Sequence, residues 1–248
     1  FFLYFSPTIP HADLSIPALG EYENAFDEGE GFKGNGSYLA QPKPKAAYAA
    51  MVTRLDYDVK RIIDLLREKG ILENTLIIFT SDNGVHREGG HDPDFFDSNG
   101  IYRGIKRDMY EGGIRAPFVV NWAARIKTAR VTDYISAFWD FLPTMCELIG
   151  VEAPEDIDGI SYLPTITGEG TQGQHDYLYW EFHENGGRRA VRRGGWKLIE
   201  LNVNKYNTTE YELYNIQKHP GEKAAYNEAG NNQPKMNELL PLLKGARR

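Results

Sequence analysis

From Ala46 to Leu66 the apolar residues Tyr48, Met51, Val52, Leu55, Val59, Ile62, Ile63 and Leu66 recur at steps of three and four. That spacing lays them along one stripe and predicts an amphipathic helix, with Gly70 placed to end it. After the turn Glu73-Asn74-Thr75, the run Leu76-Ile77-Ile78-Phe79 is wholly apolar, β-branch-rich and too short for a helix, so a buried strand is predicted. The opening run Phe1 to Phe5 reads as another core strand, and with the helix the two make a βαβ unit. Pro117 to Trp122 is a third strand. Ile135, Phe138, Trp139, Leu142, Met145, Cys146 and Ile149 mark a second amphipathic stretch stopped at Gly150. Pro143 is accommodated if Asp140 is the N-cap and the proline falls in the first turn. Cys146 then reads as a buried core thiol.

Beyond residue 170 the pattern changes to short alternating, aromatic-rich runs, "YLYWEFH", "RRAVRRG", "WKLIEL" and "YELYNI", separated by Gly and Asn turns. These predict a small antiparallel sheet, followed by one last helix over Gln233 to Leu243. The architecture is thus an α/β core over residues 1–170 and a smaller α+β subdomain over residues 171–248.

Composition narrows the class. A chain of 248 residues with 41% hydrophobic, 25% charged and 12% aromatic residues is that of an ordinary folded protein. The net charge of −7, from 28 basic and 35 acidic residues, argues against nucleic acid as a partner. The single cysteine excludes an internal disulfide and a cysteine-based zinc cluster. No apolar run is long enough to cross a bilayer, and the opening residues lack the basic lead of a signal peptide. Opening on an apolar strand without Met, the chain reads as the remainder of a longer protein.

Candidate chemistry lies in three loops. Ser81-Asp82-Asn83-Gly84 follows a predicted strand end, where ligand crevices of open α/β sheets lie. Asp82 and Asn83 offer a carboxylate and an amide oxygen, the hard donors preferred by Ca²⁺ or Mg²⁺, and Gly84 permits the turn that brings both to one side. Asn-Gly is also a common hairpin signal, but Gly89, Gly90 and Pro93 follow instead of a partner strand. Lys106 sits in "YRGIKRDMYEGGIRAP", a loop that returns to the same edge and lacks the order of a phosphate-binding Walker loop. His11 lies just past the opening run. Singly each is more often structural or solvated; together they suit cation-assisted transfer of a sulfuryl or phosphoryl group.

In order along the chain, "FFLYFSPTIPHADLSIP", "YAAMVTRLDYDVKRIIDLLREKGILENTLIIFTSDNG", "YRGIKRDMYEGGIRAP", "DFLPTMCELIGV", "DGISYLP" and "ELYNIQKHPGE" resemble the later two thirds of the formylglycine-dependent sulfatases, of bacterial arylsulfatase and carbohydrate-sulfatase type. The resemblance implies an alkaline-phosphatase-like α/β sandwich with a central, mostly parallel sheet. It implies that Asp82 and Asn83 are two of the ligands of one Ca²⁺, that Lys106 holds the sulfate, and that His11 protonates the leaving alcohol. Substrate contacts are assigned to His86, Glu88 and His91 on the Asp82 loop and to His183 and Glu184 in the subdomain. The basic run Arg188, Arg189, Arg192 and Arg193 would either steer a polyanionic glycan or form a solvated strand face.

The chain contains no C/S-x-P-x-R sequence for formylglycine, nor the family's early acidic pair for Ca²⁺. Taken alone it is therefore expected to be inactive, with nucleophile and remaining metal ligands in a preceding segment. The substrate class is a sulfated carbohydrate or another sulfate ester; the resemblance also implies a periplasmic or extracellular protein. The competing readings are a phosphoesterase of the same superfamily and a catalytically silent glycan-binding homologue.

Overall fold

A computed structural model describes residues 1–205 and 208–246. Helix α1, Pro44–Glu68, starts on Pro44 and buries Ala46, Ala47, Ala50 and Met51, with Ala47 and Met51 packed on Leu14. It stops where the periodicity stops. Gly70 takes a left-handed φ of 68°, and the amide of Ile71 returns to the Leu66 carbonyl at 3.0 Å.

Strand β1, Ile77–Thr80, pairs with β2, Phe118–Asn121, with Ile77 opposite Asn121. The pairing is antiparallel, as is every strand pair among the described residues, so the mostly parallel sheet is not found in these strands. The connection explains it: parallel neighbours need a crossover, usually a helix, whereas residues 81–117 leave and return at one sheet edge. Their only helix, α2, is the single turn Glu111–Ile114. The opening residues Phe1 to Phe5 do not form the expected strand. Among the described residues no strand pairs with them, and Phe1 and Tyr4 are 86% and 81% exposed. The βαβ unit built on them is therefore not formed among the described residues.

Helix α3, Phe141–Ile149, ends at Gly150 with φ 70°, but Asp140 is no side-chain N-cap. Its fully buried carboxylate instead accepts the amides of Ala137 at 2.8 Å and Ile160 at 2.9 Å and faces His175 Nε2 at 2.8 Å. It ties the helix start to the segment before α4, Leu163–Thr167. Cys146 is half-buried, not a core thiol.

The subdomain sheet runs β3, Leu178–Phe182, β4, Arg188–Arg193, β5, Trp196–Leu201, and β6, Glu210–Asn215, in that spatial order and antiparallel throughout. Its alternation divides two faces. Val191, Leu198 and Leu213 pack on Leu239 and Leu243 of α5, Gln233–Gly245. Ala190, Ile199 and Tyr214 face the other way and cover Met109 and Tyr110. Those two residues immediately follow the Lys106 turn, so the sheet is the floor on which the candidate site is built.

Candidate active site

Three backbone segments meet. The amide of Gly84 donates to the Gly113 carbonyl at 2.9 Å, and the amide of Lys106 donates to the Val85 carbonyl at 2.7 Å. Glycine is required at 84 because a Cβ there would lie 1.8 Å from the Gly112 carbonyl oxygen. The loop of Asp82 and the loop of Lys106 are thereby locked together. From the third segment His11 brings its Nε2 to 2.9 Å from Lys106 Nζ, and its Nδ1 lies 2.6 Å from the Ala12 carbonyl oxygen. A carbonyl only accepts, so Nδ1 carries the proton and the Nε2 lone pair receives the Lys106 N–H. His11 is exposed and Lys106 half-buried, so both are open to a ligand.

Asp82 is exposed and makes no hydrogen bond or ion pair with another described residue. Asn83 donates through Nδ2 to the Gly84 carbonyl at 3.0 Å, leaving its amide oxygen as an acceptor. These two oxygens suit a hard cation such as Ca²⁺. Beyond these two oxygens, no group of three or more His, Cys, Asp or Glu side chains able to hold a metal occurs among the described residues.

The five candidate substrate contacts separate into two sets. His86 and His91 are 7% and 2% exposed and face inward, so a sugar cannot reach their ring nitrogens. His86 stacks on His11 at 5.2 Å, and His91 stacks on Tyr48 of α1 at 3.6 Å. Glu88 is largely covered and pairs with Arg107, a residue the sequence reading missed. Arg107 also lies 3.8 Å from Glu184, whose side chain is 72% exposed, and His183 is likewise exposed beside Glu181 at 3.3 Å. Arg107 thus joins the Asp82 loop to the β3–β4 turn through two carboxylates. Its sequence signal was only its place next to Lys106.

The basic run is neither a steering patch nor a solvated face. Arg188 pairs with Asp108, Arg189 with the buried Glu200, Arg193 with Asp176 at 2.6 Å, and Arg192 lies 4.0 Å from Glu111. A cavity of about 360 Å³ is lined by Arg87, Asp94, Asn99, Tyr102, Arg103 and Asp108. It borders the Lys106 turn without being lined by His11, Lys106 or Asp82, so these three candidate residues lie outside it.

His91 is costly to protonate. Burial, reinforced by His86, holds its pKa down at about 4, and neither ring nitrogen has a hydrogen-bond partner. The unfolded chain binds the proton near pH 6.5 and the folded chain only near 4, so this group's stability is present above 6.5 and is lost as pH falls through 4. Urea denaturation should show a loss of about 2 to 3 kcal/mol over that window from this residue. His91→Phe, which keeps the stacking, should lack that part of the slope; an unchanged slope would contradict the assignment.

Residues 1–151 match the sulfatase family, and residues 100–247 match the C-terminal family of N-sulphoglucosamine sulphohydrolase. The chain therefore belongs to the sulfatase family and covers its C-terminal part, with the alkaline-phosphatase-like fold of its structural neighbours. N-acetylglucosamine-6-O-sulfatase of Bacteroides thetaiotaomicron is 31% identical over 206 residues, which are 79% of this chain and 34% of that protein. The solved structure of BT4656 in complex with its substrate D-glucosamine-2-N,6-O-disulfate is 28% identical, with a TM-score of 0.66 over 83% of this chain and 40% of that one. A phosphonate monoester hydrolase of Agrobacterium radiobacter shares the fold, with a TM-score of 0.59 and 21% identity over 83% of this chain and 42% of its own. The chain spans from 22% to 47% of the length of curated relatives it matches.

Proposed function

We propose that the complete protein, exported to the periplasm or beyond, hydrolyses sulfate esters of carbohydrates, and that this chain supplies the leaving-group half of the site. The observation that carries the reading is the contact of Lys106 Nζ with His11 Nε2 at 2.9 Å, on a loop whose Lys106 amide is bonded to Val85 in the loop of Asp82. A formylglycine hydrate and a Ca²⁺ ion, held largely by residues outside this chain, would supply the nucleophilic oxygen and positive charge on the sulfate. Asp82 and Asn83 would contribute two oxygens to that ion.

The chain's own residues act on the other side of sulfur. A non-bridging sulfate oxygen seated at Lys106 would receive the ammonium N–H, which offsets the charge of the ester, while His11 would face the bridging oxygen of the leaving alcohol. With Nδ1–H tied to the Ala12 carbonyl, a proton taken up at Nε2 would make His11 an imidazolium whose free N–H lies on the side of Lys106, where the ester would sit. That proton passes to the alkoxide oxygen as the S–O bond breaks, which matters for a sugar alcohol because it is a poor leaving group. The sugar class follows the relatives named for N-acetylglucosamine 6-sulfate and glucosamine disulfate. A neutral amide at Asn83, where a second carboxylate would serve a more highly charged metal site, favours sulfatase over phosphoesterase.

Mass spectrometry of the complete protein should find a formylglycine, and sulfated N-acetylglucosamine should be hydrolysed in preference to phosphate or phosphonate monoesters. An unmodified nucleophile position, or phosphonate turnover as fast, defeats the reading. The present chain alone should bind Ca²⁺ with a Kd on the order of millimolar or weaker. Calorimetry with chain and Asp82→Ala tests this, and micromolar binding would contradict a divided site.

A further inference from the structure

We infer that His86 is a positioning residue for His11 and makes no contact with substrate; only the kinetic consequence rests on the sulfatase reading. Both of its nitrogens are spoken for inside the protein. The backbone N–H of Glu88 donates to Nδ1 at 3.1 Å, closer than Glu88 Oε2 at 3.3 Å, which assigns Nδ1 as the acceptor. Nε2 lies 3.1 Å from the Pro10 carbonyl oxygen, which only accepts, so Nε2 carries the proton. The ring is fixed as one neutral tautomer. Burial opposes its protonation, aided by His11 and Lys106, and outweighs the pull of the Pro10 carbonyl and the Glu88 carboxylate.

What this fixed ring holds is the residue beside it. The Pro10 carbonyl belongs to the peptide group that leads into His11, so the Nε2–H bond, together with the bond of the His11 amide to Thr8, holds the plane from which the His11 side chain departs. The His86 ring also stacks on the His11 ring at 5.2 Å with an interplanar angle of 29°, while Tyr48 of α1 meets its edge at 6.4 Å and 72°. The His11 side chain is otherwise exposed, its other polar contacts being Lys106 Nζ and the carbonyl of the next residue, while its backbone amide donates to the Thr8 carbonyl at 3.0 Å. Without His86 the imidazole would keep its chemistry and lose its aim, and a misplacement of about 1 Å costs roughly 100-fold in rate.

Two variants separate this from a substrate contact. His86→Phe keeps a stacked ring and loses both hydrogen bonds; His86→Gln retains an amide N–H able to reach Pro10. In the complete protein His86→Phe should lower kcat for a sulfated sugar by roughly 100-fold with KM little changed. Its effect on 4-nitrophenyl sulfate, whose leaving group needs no proton, should be under about fivefold, because the acid is bypassed. His86→Gln should recover most of the sugar-sulfate rate. A rise in KM at constant kcat, or equal losses on both substrates, overturns the inference.

Nitrogen NMR of the unmutated chain tests the structural claim without any activity. His86 should be the neutral Nε2–H tautomer at pH 7, and an Nδ1–H tautomer or an imidazolium overturns it. Should the complete protein hydrolyse no sulfate ester while this tautomer is observed, the functional reading fails and the positioning of His11 stands.

Discussion

Lys106→Ala in the complete protein should lower kcat/KM for a sulfated sugar by about 10²- to 10³-fold, the usual consequence of deleting one donor aimed at developing charge. Two losses combine in that figure. The sulfate loses an ammonium, and His11 Nε2 loses the N–H that holds it at 2.9 Å. The fold should be spared, because Lys106 is tied to the Asp82 loop by its backbone amide, which alanine keeps. Thermal unfolding of the variant therefore serves as the control. His11→Ala should cost a similar factor on the sugar substrate and little on 4-nitrophenyl sulfate. Since the two side chains share one contact, the double variant should lose much less than the product of the single losses. A Lys106→Ala loss below tenfold, or strict multiplication in the double variant, would show that the pair does not act as one unit.

The elements legible in the sequence were those whose signal is local. Helix α1 and its end at Gly70 followed from spacing and one left-handed glycine, and the four subdomain strands from alternation broken by Gly and Asn turns. Phe1 to Phe5 carry a strand composition, but a strand exists only where a neighbour accepts its hydrogen bonds, and composition does not name the neighbour. Pairing direction was hidden for the same reason, being set by the connection through residues 81–117.

At the site, His11, Asp82, Asn83 and Lys106 were legible as residue types at loop positions, and the structure brings His11 and Lys106 into contact. The inward turn of His86 and His91 was not, because it depends on Tyr48 from α1 and on backbone partners at Pro10 and Glu88. The arginines of β4 read as a steering patch or a solvated face because carboxylates such as Asp108 and Glu200 come from elsewhere in the chain, as does Glu88, the partner of Arg107. Alternation assigns a side chain to a face of a strand. It does not say whether that face meets water or a buried acid.

Lys197 is the extreme case, and its replacement should be the most destabilising single change: Lys197→Ala is expected to cost about 3 to 5 kcal/mol. The side chain is fully buried on β5, with Nζ 2.9 Å from Glu111 Oε1 and 2.8 Å from Glu222 Oε1. Glu222 also accepts the Glu111 amide at 2.5 Å, so the ammonium binds the first residue of α2 to the subdomain. Two acids share this cation unequally. Burial raises the pKa of Glu111, but Lys197, Arg192 and Arg115 outweigh it and leave it lowered. Glu222 has less compensation, and burial leaves its pKa raised.

Removing the ammonium would push Glu222 higher still. A carboxyl with a raised folded pKa leaves stability intact below its unfolded value and takes it away as pH rises through the folded one. The deficit of Lys197→Ala relative to the parent chain should therefore be larger at pH 7.5 than at pH 5. Adding Glu222→Gln should recover part of it at the higher pH. Urea denaturation of the three chains, at both pH values, measures all of this. A deficit under 1 kcal/mol, or one that grows toward acid, would mean that the triad is not what fixes α2, and with it the Lys106 turn, against the sheet.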